Sequence, residues 1–133
     1  MATNLERASS ILKVESDAIA AAAHRLTAPV VERLIDLLIN CSGKVIVLGI
    51  GKSGVIAQKI AQTLTSTGTI AVFLHPSDAM HGSLGVISRG DVVIALSNSG
   101  ETDELLGMLP ALAAREVALI SIVGNVASTL AQR

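Results

Sequence analysis

The chain has 133 residues and a net charge of −1, with ten Lys or Arg against eleven Asp or Glu; this balance excludes the basic surface typical of nucleic-acid-binding proteins. Half of the residues are apolar but Phe73 is the only aromatic one, so the core must be aliphatic and no stacking platform for bases is available. A single cysteine, no signal-peptide pattern and no apolar run of ~20 residues predict a cytoplasmic protein without internal disulfides or membrane spans.

The first forty residues are predicted to be helical. Apolar residues recur at steps of three and four along residues 3–26, which predicts one buried face of a first helix. Its members are Leu5, Ala8, Ile11, Leu12 and Ile19. Pro29 favours the start of a second helix, with Thr27 as a candidate cap. We therefore expect residues 1–43 to form an N-terminal helical portion.

Residues 44–133 alternate between short β-branched runs and amphipathic stretches. The runs predict strands near 45–49, 70–74, 92–96 and 117–123, with helices near 55–68 and 102–116 between them. Pro110 is expected to kink or divide the second of these helices. Residues 75–88 are predicted to be an irregular connection.

Such alternation predicts right-handed βαβ crossovers and an α/β fold, a three-layer, doubly wound parallel sheet of the flavodoxin-like type. The strand near 45–49 should be central, between the strands near 70–74 and 92–96. Doubly wound sheets usually carry at least one further strand, so we expect residues 1–133 to be one domain that is incomplete after its fourth strand.

A glycine-rich turn, "GIGKSG", follows the first predicted strand. It fits the G-x-G-x-x-G pattern of dinucleotide-binding sites, but such a site also needs an acid at the tip of the second strand, where this chain has His75. Asp78 lies beyond a proline in the following loop. A P-loop would require glycine where Ile46 stands. A tight turn without any ligand remains an alternative.

A second turn of the same kind, "SNSGET", follows the third predicted strand and precedes a helix. Ser97, Ser99 and Thr102 offer hydroxyls, and Gly100 permits close approach of the backbone to a ligand. With the N–H groups of the helix start, they suit a phosphate dianion. The alternative is ordinary helix capping by Ser99 or Thr102. Two such turns at neighbouring strand ends predict a ligand crevice.

The segments "GIGKSG", "HPSDAMHGSLGVI" and "SNSGET", in this order and spacing, resemble the sugar isomerase (SIS) domain, and within it the D-arabinose-5-phosphate isomerases. The resemblance implies a phosphosugar substrate held at Gly51, Ser53, Ser97, Asn98, Ser99 and Thr102. It implies catalytic roles for Lys52, Glu104 and His81, with His75 lining the site. The family usually has "HGDLG", whereas this chain has Ser83 in place of the aspartate.

The resemblance also implies that a further catalytic acid and histidine, a fifth strand and, in longer members, a pair of CBS domains lie beyond residue 133. The implied reaction interconverts D-ribulose 5-phosphate and D-arabinose 5-phosphate through a cis-enediol. In it, Lys52 is the electrophile or a plain counterion of the phosphate, and Glu104 is a catalytic group or a helix-face acid.

No cofactor and no metal are expected, although a zinc site at His75, Asp78 and His81 remains a minor alternative. We expect a small phosphosugar as the partner, no nucleic acid and no membrane, and self-association into a dimer or tetramer. Two other functions remain open, a phosphosugar sensor without catalysis and, less favoured, a dinucleotide-binding domain.

Overall fold

The computed structural model describes residues 1–133, which form two compact units, Met1–Ile35 and Asp36–Arg133. The first unit contains helix α1 (Asn4–Arg25) and most of helix α2 (Ala28–Ile39). The second contains a parallel sheet and the helices that cover it. None of the helices combines the length and the apolar character needed to cross a bilayer.

Helix α1 begins at a reciprocal cap. The Thr3 hydroxyl accepts a hydrogen bond from the Glu6 N–H at 3.2 Å, and the Glu6 carboxylate accepts one from the Thr3 N–H at 2.6 Å. The predicted burial of the apolar face of α1 is wrong for the single chain, because no residue of α1 is buried. Leu5 and Ile19, for example, are 77% and 72% exposed. An amphipathic pattern shows which face of a helix favours burial, but it does not specify what buries that face.

The sheet has four parallel strands in the order β2-β1-β3-β4. They are β1 (Val45–Leu48), β2 (Ala71–Leu74), β3 (Val92–Ser97) and β4 (Ala118–Val123). The predicted fold class and the position of the first strand between the second and third are confirmed. Every residue of β1 and β3 is buried, as expected for central strands covered by helices on both faces.

The helices of the second unit differ from the prediction in three places. Helix α3 (Lys52–Ser66) begins three residues earlier than expected, which places Lys52 and Ser53 in its first turn. The predicted irregular connection contains helix α4 (Pro76–Met80) and a single 3₁₀ turn at Ser83–Val86. Helix α5 (Asp103–Ala114) is not divided at Pro110, which lies on its exposed side. Proline has no N–H, so the carbonyl four residues earlier in α5 lacks its usual helical partner. On the exposed side of the helix, water can bond that carbonyl instead.

Two apolar layers, one on each face of the sheet, complete the fold. Successive strand residues point to opposite faces, so alternate side chains of β1 and β3 enter different layers. One layer joins Ile46, Leu48, Val93 and Ala95 to Leu105, Met108 and Leu112 of α5. The other joins Val45, Val47, Ile94 and Leu96 to Ala57 and Ala61 of α3. The sheet therefore lies between α3 and α5, in a three-layer arrangement.

A buried ion pair lies where β1 and β3 begin, at the opposite edge of the sheet from the two predicted ligand turns. Asp91 is 3% exposed, and its carboxylate accepts hydrogen bonds from Lys44 Nζ at 2.8 Å, from the Lys44 N–H at 2.9 Å and from the Ser88 N–H at 2.8 Å. Burial raises the pKa of Asp91, but these hydrogen bonds and the Lys44 charge outweigh it and lower the pKa overall.

Candidate functional site

The glycine turn, residues 49–54, joins β1 to α3 at the carboxyl edge of the sheet. Gly51 is the N-cap of α3 and has φ +59°, a conformation that side chains other than glycine rarely adopt. A Cβ atom at Gly49 would lie 2.6 Å from the Ser53 carbonyl oxygen, so this position also requires glycine. No side chain caps α3. The first-turn N–H groups of α3 are therefore available to an anion.

The serine loop, residues 97–102, joins β3 to α5 at the same edge. Ser97 is buried at the end of β3, and its hydroxyl accepts a hydrogen bond from the Gly100 N–H at 2.9 Å. The same oxygen lies 2.8 Å from the Thr102 hydroxyl. The Ser99 hydroxyl accepts from the Glu101 N–H at 3.1 Å. The hydroxyls thus fix the shape of the loop in addition to being candidate phosphate ligands.

The alternative of ordinary capping does not account for these hydroxyls. Thr102 is the N-cap of α5, but its side chain makes no cap hydrogen bond. Ser99 bonds within the loop rather than to the first turn of α5. The first turn of α5, like that of α3, therefore has N–H groups that no side chain occupies.

A cavity of about 400 Å³ lies between the two turns. Its lining residues are Lys52, Ser53, Ile56, Leu96, Ser97, Asn98, Ile122, Val123 and Gly124. The carboxyl ends of the neighbouring strands β3 and β4 and the start of α3, which follows β1, contribute to this lining. Its volume is in the range of small-molecule sites, and a polar side is joined to an apolar wall.

The structure brings only some of the predicted site residues to this cavity. Lys52, Ser53, Ser97 and Asn98 line it. Gly51, Ser99 and Thr102 belong to the two adjoining turns but do not line it. Glu104 lies in the first turn of α5, where it is exposed and outside the lining.

The two histidines of the predicted site lie at the ends of α4 and outside the cavity lining. His75 is the N-cap of α4, and its Nδ1 accepts a hydrogen bond from the Ser77 N–H at 3.2 Å. A neutral His75 ring therefore carries its proton on Nε2. His81 is the exposed C-cap residue of the same helix.

The geometry gives little support to the two alternative ligands, a metal ion and a dinucleotide. No group of three or more His, Cys, Asp or Glu side chains is arranged to hold a metal ion, and the Nδ1 atom of His75 is already engaged. A dinucleotide site would need an acid directly after β2. His75 occupies that position, and Asp78 lies inside α4.

Sequence reasoning missed the contribution of β4. Ile122, Val123 and Gly124 form part of the cavity wall, and the Gly124 N–H donates to the Asn98 carbonyl at 2.9 Å. A Cβ atom at Gly124 would lie 2.5 Å from Asn98 Oδ1, so glycine permits this close approach. The predicted parallel sheet contained a signal, since the carboxyl ends of all its strands lie at the same edge.

Comparisons with known proteins identify a family that matches most of the chain. The SIS domain family matches residues 38–133. Arabinose 5-phosphate isomerase KdsD from Salmonella typhi is 50% identical over 97 residues, which are 73% of this chain and 30% of that protein. The chain thus spans about 30% of the length of this curated relative.

Solved structures extend the similarity to nearly the whole chain. An Escherichia coli CFT073 protein in complex with arabinose 5-phosphate is 39% identical, with a TM-score of 0.84 over 98% of this chain and 71% of that one. A putative sugar-phosphate isomerase from Listeria monocytogenes is 32% identical, with a TM-score of 0.85 over 99% of this chain and 71% of that one.

Proposed function

The chain belongs to the SIS domain family, and we propose that it binds the phosphate of a five-carbon sugar for an aldose–ketose isomerisation. The reaction would interconvert D-ribulose 5-phosphate and D-arabinose 5-phosphate. The observation that carries the proposal is the cavity in which Lys52, Ser53, Ser97 and Asn98 meet between two uncapped helix starts. The 50% identity to an arabinose 5-phosphate isomerase supports the choice of substrate.

The phosphate would bind between the glycine turn and the serine loop. The N-termini of α3 and α5 supply unpaired N–H groups and the positive ends of two helix dipoles. Ser53 would add a hydroxyl from the cavity lining, Ser99 would add one from the adjoining loop, and Lys52 would add a positive charge. Each good charge-assisted hydrogen bond contributes roughly 1.5–3 kcal/mol.

The chemistry requires a proton to move between C1 and C2 of the sugar. A base removes the proton from the carbon beside the carbonyl, and the carbonyl oxygen gains a proton to give the enediol. The neighbouring hydroxyl then loses its proton and becomes the new carbonyl, while the other carbon takes up a proton. The reaction is redox-neutral, so it requires no redox cofactor. Lys52 lines the cavity and would stabilise the developing oxyanion. Glu104 and His81 are the proposed proton-transfer groups, on the family resemblance.

A second candidate function is a phosphosugar sensor that binds without catalysis. It is favoured by the positions of Glu104 and His81, which lie outside the cavity lining, whereas residues suited to the phosphate line it. The two functions predict the same ligand, but the isomerase converts it and the sensor releases it unchanged. A dianionic sugar phosphate does not cross a bilayer unaided, so both functions favour a cytoplasmic location.

We also propose that the chain forms a homo-oligomer, with a second copy covering α1. Five large apolar residues of α1 are at least 61% exposed: Leu5, Ile11, Leu12, Val14 and Ile19. Apolar surface of this kind favours association. Strands β2 and β4 are also sheet edges, with unpaired backbone groups along their outer sides.

Calorimetry with D-arabinose 5-phosphate tests the ligand, and NMR of the same mixture tests turnover. Binding with conversion to the ketose supports the isomerase, and binding alone is common to both functions. D-Arabinose without phosphate and NAD are the controls. Tight binding of NAD with no response to the sugar phosphate would contradict both functions.

A further inference from the structure

The segment that follows β4 folds back against the serine loop. We call this segment, residues 124–130, the brace. Three N–H groups of the brace donate to the loop, from Gly124 to the Asn98 carbonyl at 2.9 Å, from Leu130 to the Gly100 carbonyl at 3.1 Å and from Thr129 to the Glu101 carboxylate at 2.6 Å. The loop is therefore tied to the brace at three of its six positions.

Close packing adds to these hydrogen bonds. Ser128 is 1% exposed, and its hydroxyl has no hydrogen-bond partner. A Cβ atom at Gly100 would lie 2.0 Å from Ser128 Oγ, so the two residues approach too closely for a side chain at position 100. Leu130, 2% exposed, anchors the end of the brace in the apolar layer that contains Leu105. Position 128 therefore requires a small side chain because Gly100 is so close. It does not require a hydroxyl, because that group makes no hydrogen bond.

We propose that the brace holds the serine loop in its phosphate-binding conformation, with Glu101 and Ser128 as positioning residues. The proposal rests on the proposed function, because it assigns roles within the same site. Gly100 has φ +69°, and a loop with such a glycine has many alternative conformations when nothing holds it. Preorganisation of phosphate donors reduces the ordering cost of binding.

Glu101 is otherwise a poor residue for a phosphate loop. Hydrogen bonds from the Thr129 N–H and hydroxyl lower the pKa of its carboxyl, so the side chain is ionised at neutral pH. A carboxylate near a phosphate dianion is repelled by it, which opposes binding. Its hydrogen bond to Thr129 gives the side chain a positioning role that accounts for its presence in the loop.

Amide hydrogen exchange in the ligand-free protein tests whether the brace holds the loop. The Gly100 N–H reports on the loop because it donates to Ser97 Oγ. We expect Glu101→Ala to accelerate its exchange about tenfold, the effect of one lost hydrogen bond to a charged group. Glu101→Gln should restore slow exchange, since its amide oxygen can accept from Thr129. Glu6→Ala, which removes a carboxylate–backbone bond of the same 2.6 Å length in α1, should leave Gly100 unchanged.

A second pair of variants tests the packing. Ser128→Ala keeps a small side chain and removes only an unpartnered hydroxyl, so exchange at Gly100 should stay slow. Ser128→Val adds volume against Gly100 and should accelerate exchange there. Unchanged exchange at Gly100 in both Glu101→Ala and Ser128→Val would overturn the proposal, whatever the protein binds.

Calorimetry with D-arabinose 5-phosphate then tests the consequence for binding. Glu101→Ala and Ser128→Val should raise Kd at least about fivefold, while Glu101→Gln and Ser128→Ala should bind as the unmodified protein does. Equal weakening by Glu101→Gln and Glu101→Ala would overturn the positioning role. If the unmodified protein binds no sugar phosphate, the proposed function is wrong, and the exchange of Gly100 still decides whether the brace holds the loop.

Discussion

The hydroxyl groups of Ser97 and Thr102 lie 2.8 Å apart and join the end of β3 to the N-cap of α5. Ser97 is buried, and its hydroxyl also accepts from the Gly100 N–H. Because this one oxygen links both halves of the serine loop, Ser97 acts mainly on loop shape. Ser99 and Thr102 are the more accessible hydroxyls, and they should therefore contribute more directly to phosphate binding.

Removing both accessible hydroxyls should weaken phosphosugar binding. We expect Ser99→Ala combined with Thr102→Val to raise Kd for D-arabinose 5-phosphate at least about tenfold, because one good charge-assisted hydrogen bond already accounts for such a factor. Calorimetry measures the change. Ser66→Ala is the matched control, since it removes an exposed hydroxyl from α3 that bonds only the Thr63 carbonyl. An unchanged Kd in the double variant would place the phosphate elsewhere.

Replacing the lysine of the glycine turn should affect turnover more than affinity. Lys52→Ala removes the cation proposed to stabilise the oxyanion, so in an active full-length enzyme kcat should fall at least about a hundredfold while Kd rises less than about tenfold. NMR of the isomerisation and calorimetry give the two values. Lys59→Ala, at an exposed position of the same helix, should change neither. A loss of affinity as large as the loss of turnover would make Lys52 a plain counterion.

The buried ion pair should make stability depend on pH in the acid range. The pKa of Asp91 in the folded protein is below its ordinary value of 3.8. Its contribution to stability is therefore complete above that value and is lost as the pH falls below it. We expect Asp91→Asn to lower the free energy of unfolding by about 3 kcal/mol at pH 7. The difference should shrink towards pH 3 in urea unfolding followed by circular dichroism.

The control for the buried ion pair is an exposed ion pair in α1. Asp17 pairs with Lys13 across one turn of α1, and both side chains are more than half exposed. Asp17→Asn should change the free energy of unfolding by less than about 1 kcal/mol at pH 7. A pH-independent deficit in Asp91→Asn would show that packing, not ionisation, explains the loss.

Charges on the apolar face of α1 should break the proposed oligomer. Leu5, Leu12 and Ile19 are seven residues apart and share one side of the helix. We expect light scattering to give at least the mass of two chains at micromolar concentration, and Leu5→Glu with Leu12→Glu to reduce it to one. Arg7→Glu, on the opposite side of the helix, should leave the mass unchanged. A single-chain mass for the unmodified protein contradicts the proposal.

Local sequence patterns were sufficient for the four strands and for the place of the first strand between the second and the third. The β-branched runs of β1 and β3 favour buried parallel strands, and the handedness of βαβ crossovers leaves few arrangements of them. The glycine turn and the serine loop were also visible, because Gly51 and Gly100 mark positive φ angles at strand-to-helix junctions. These features depend on residues that are neighbours in the chain.

The features that sequence reasoning missed depend on residues far apart in the chain. Burial of the α1 face depends on what covers it, and the exposed position of Pro110 depends on how α5 lies against the sheet. The positions of Glu104 and His81 outside the cavity depend on how α4 and α5 lie relative to the strand ends. The cavity wall from β4 and the brace behind Gly100 were decided only by the tertiary structure. They arise from packing between separate segments, and no local pattern of propensity or periodicity encodes such contacts.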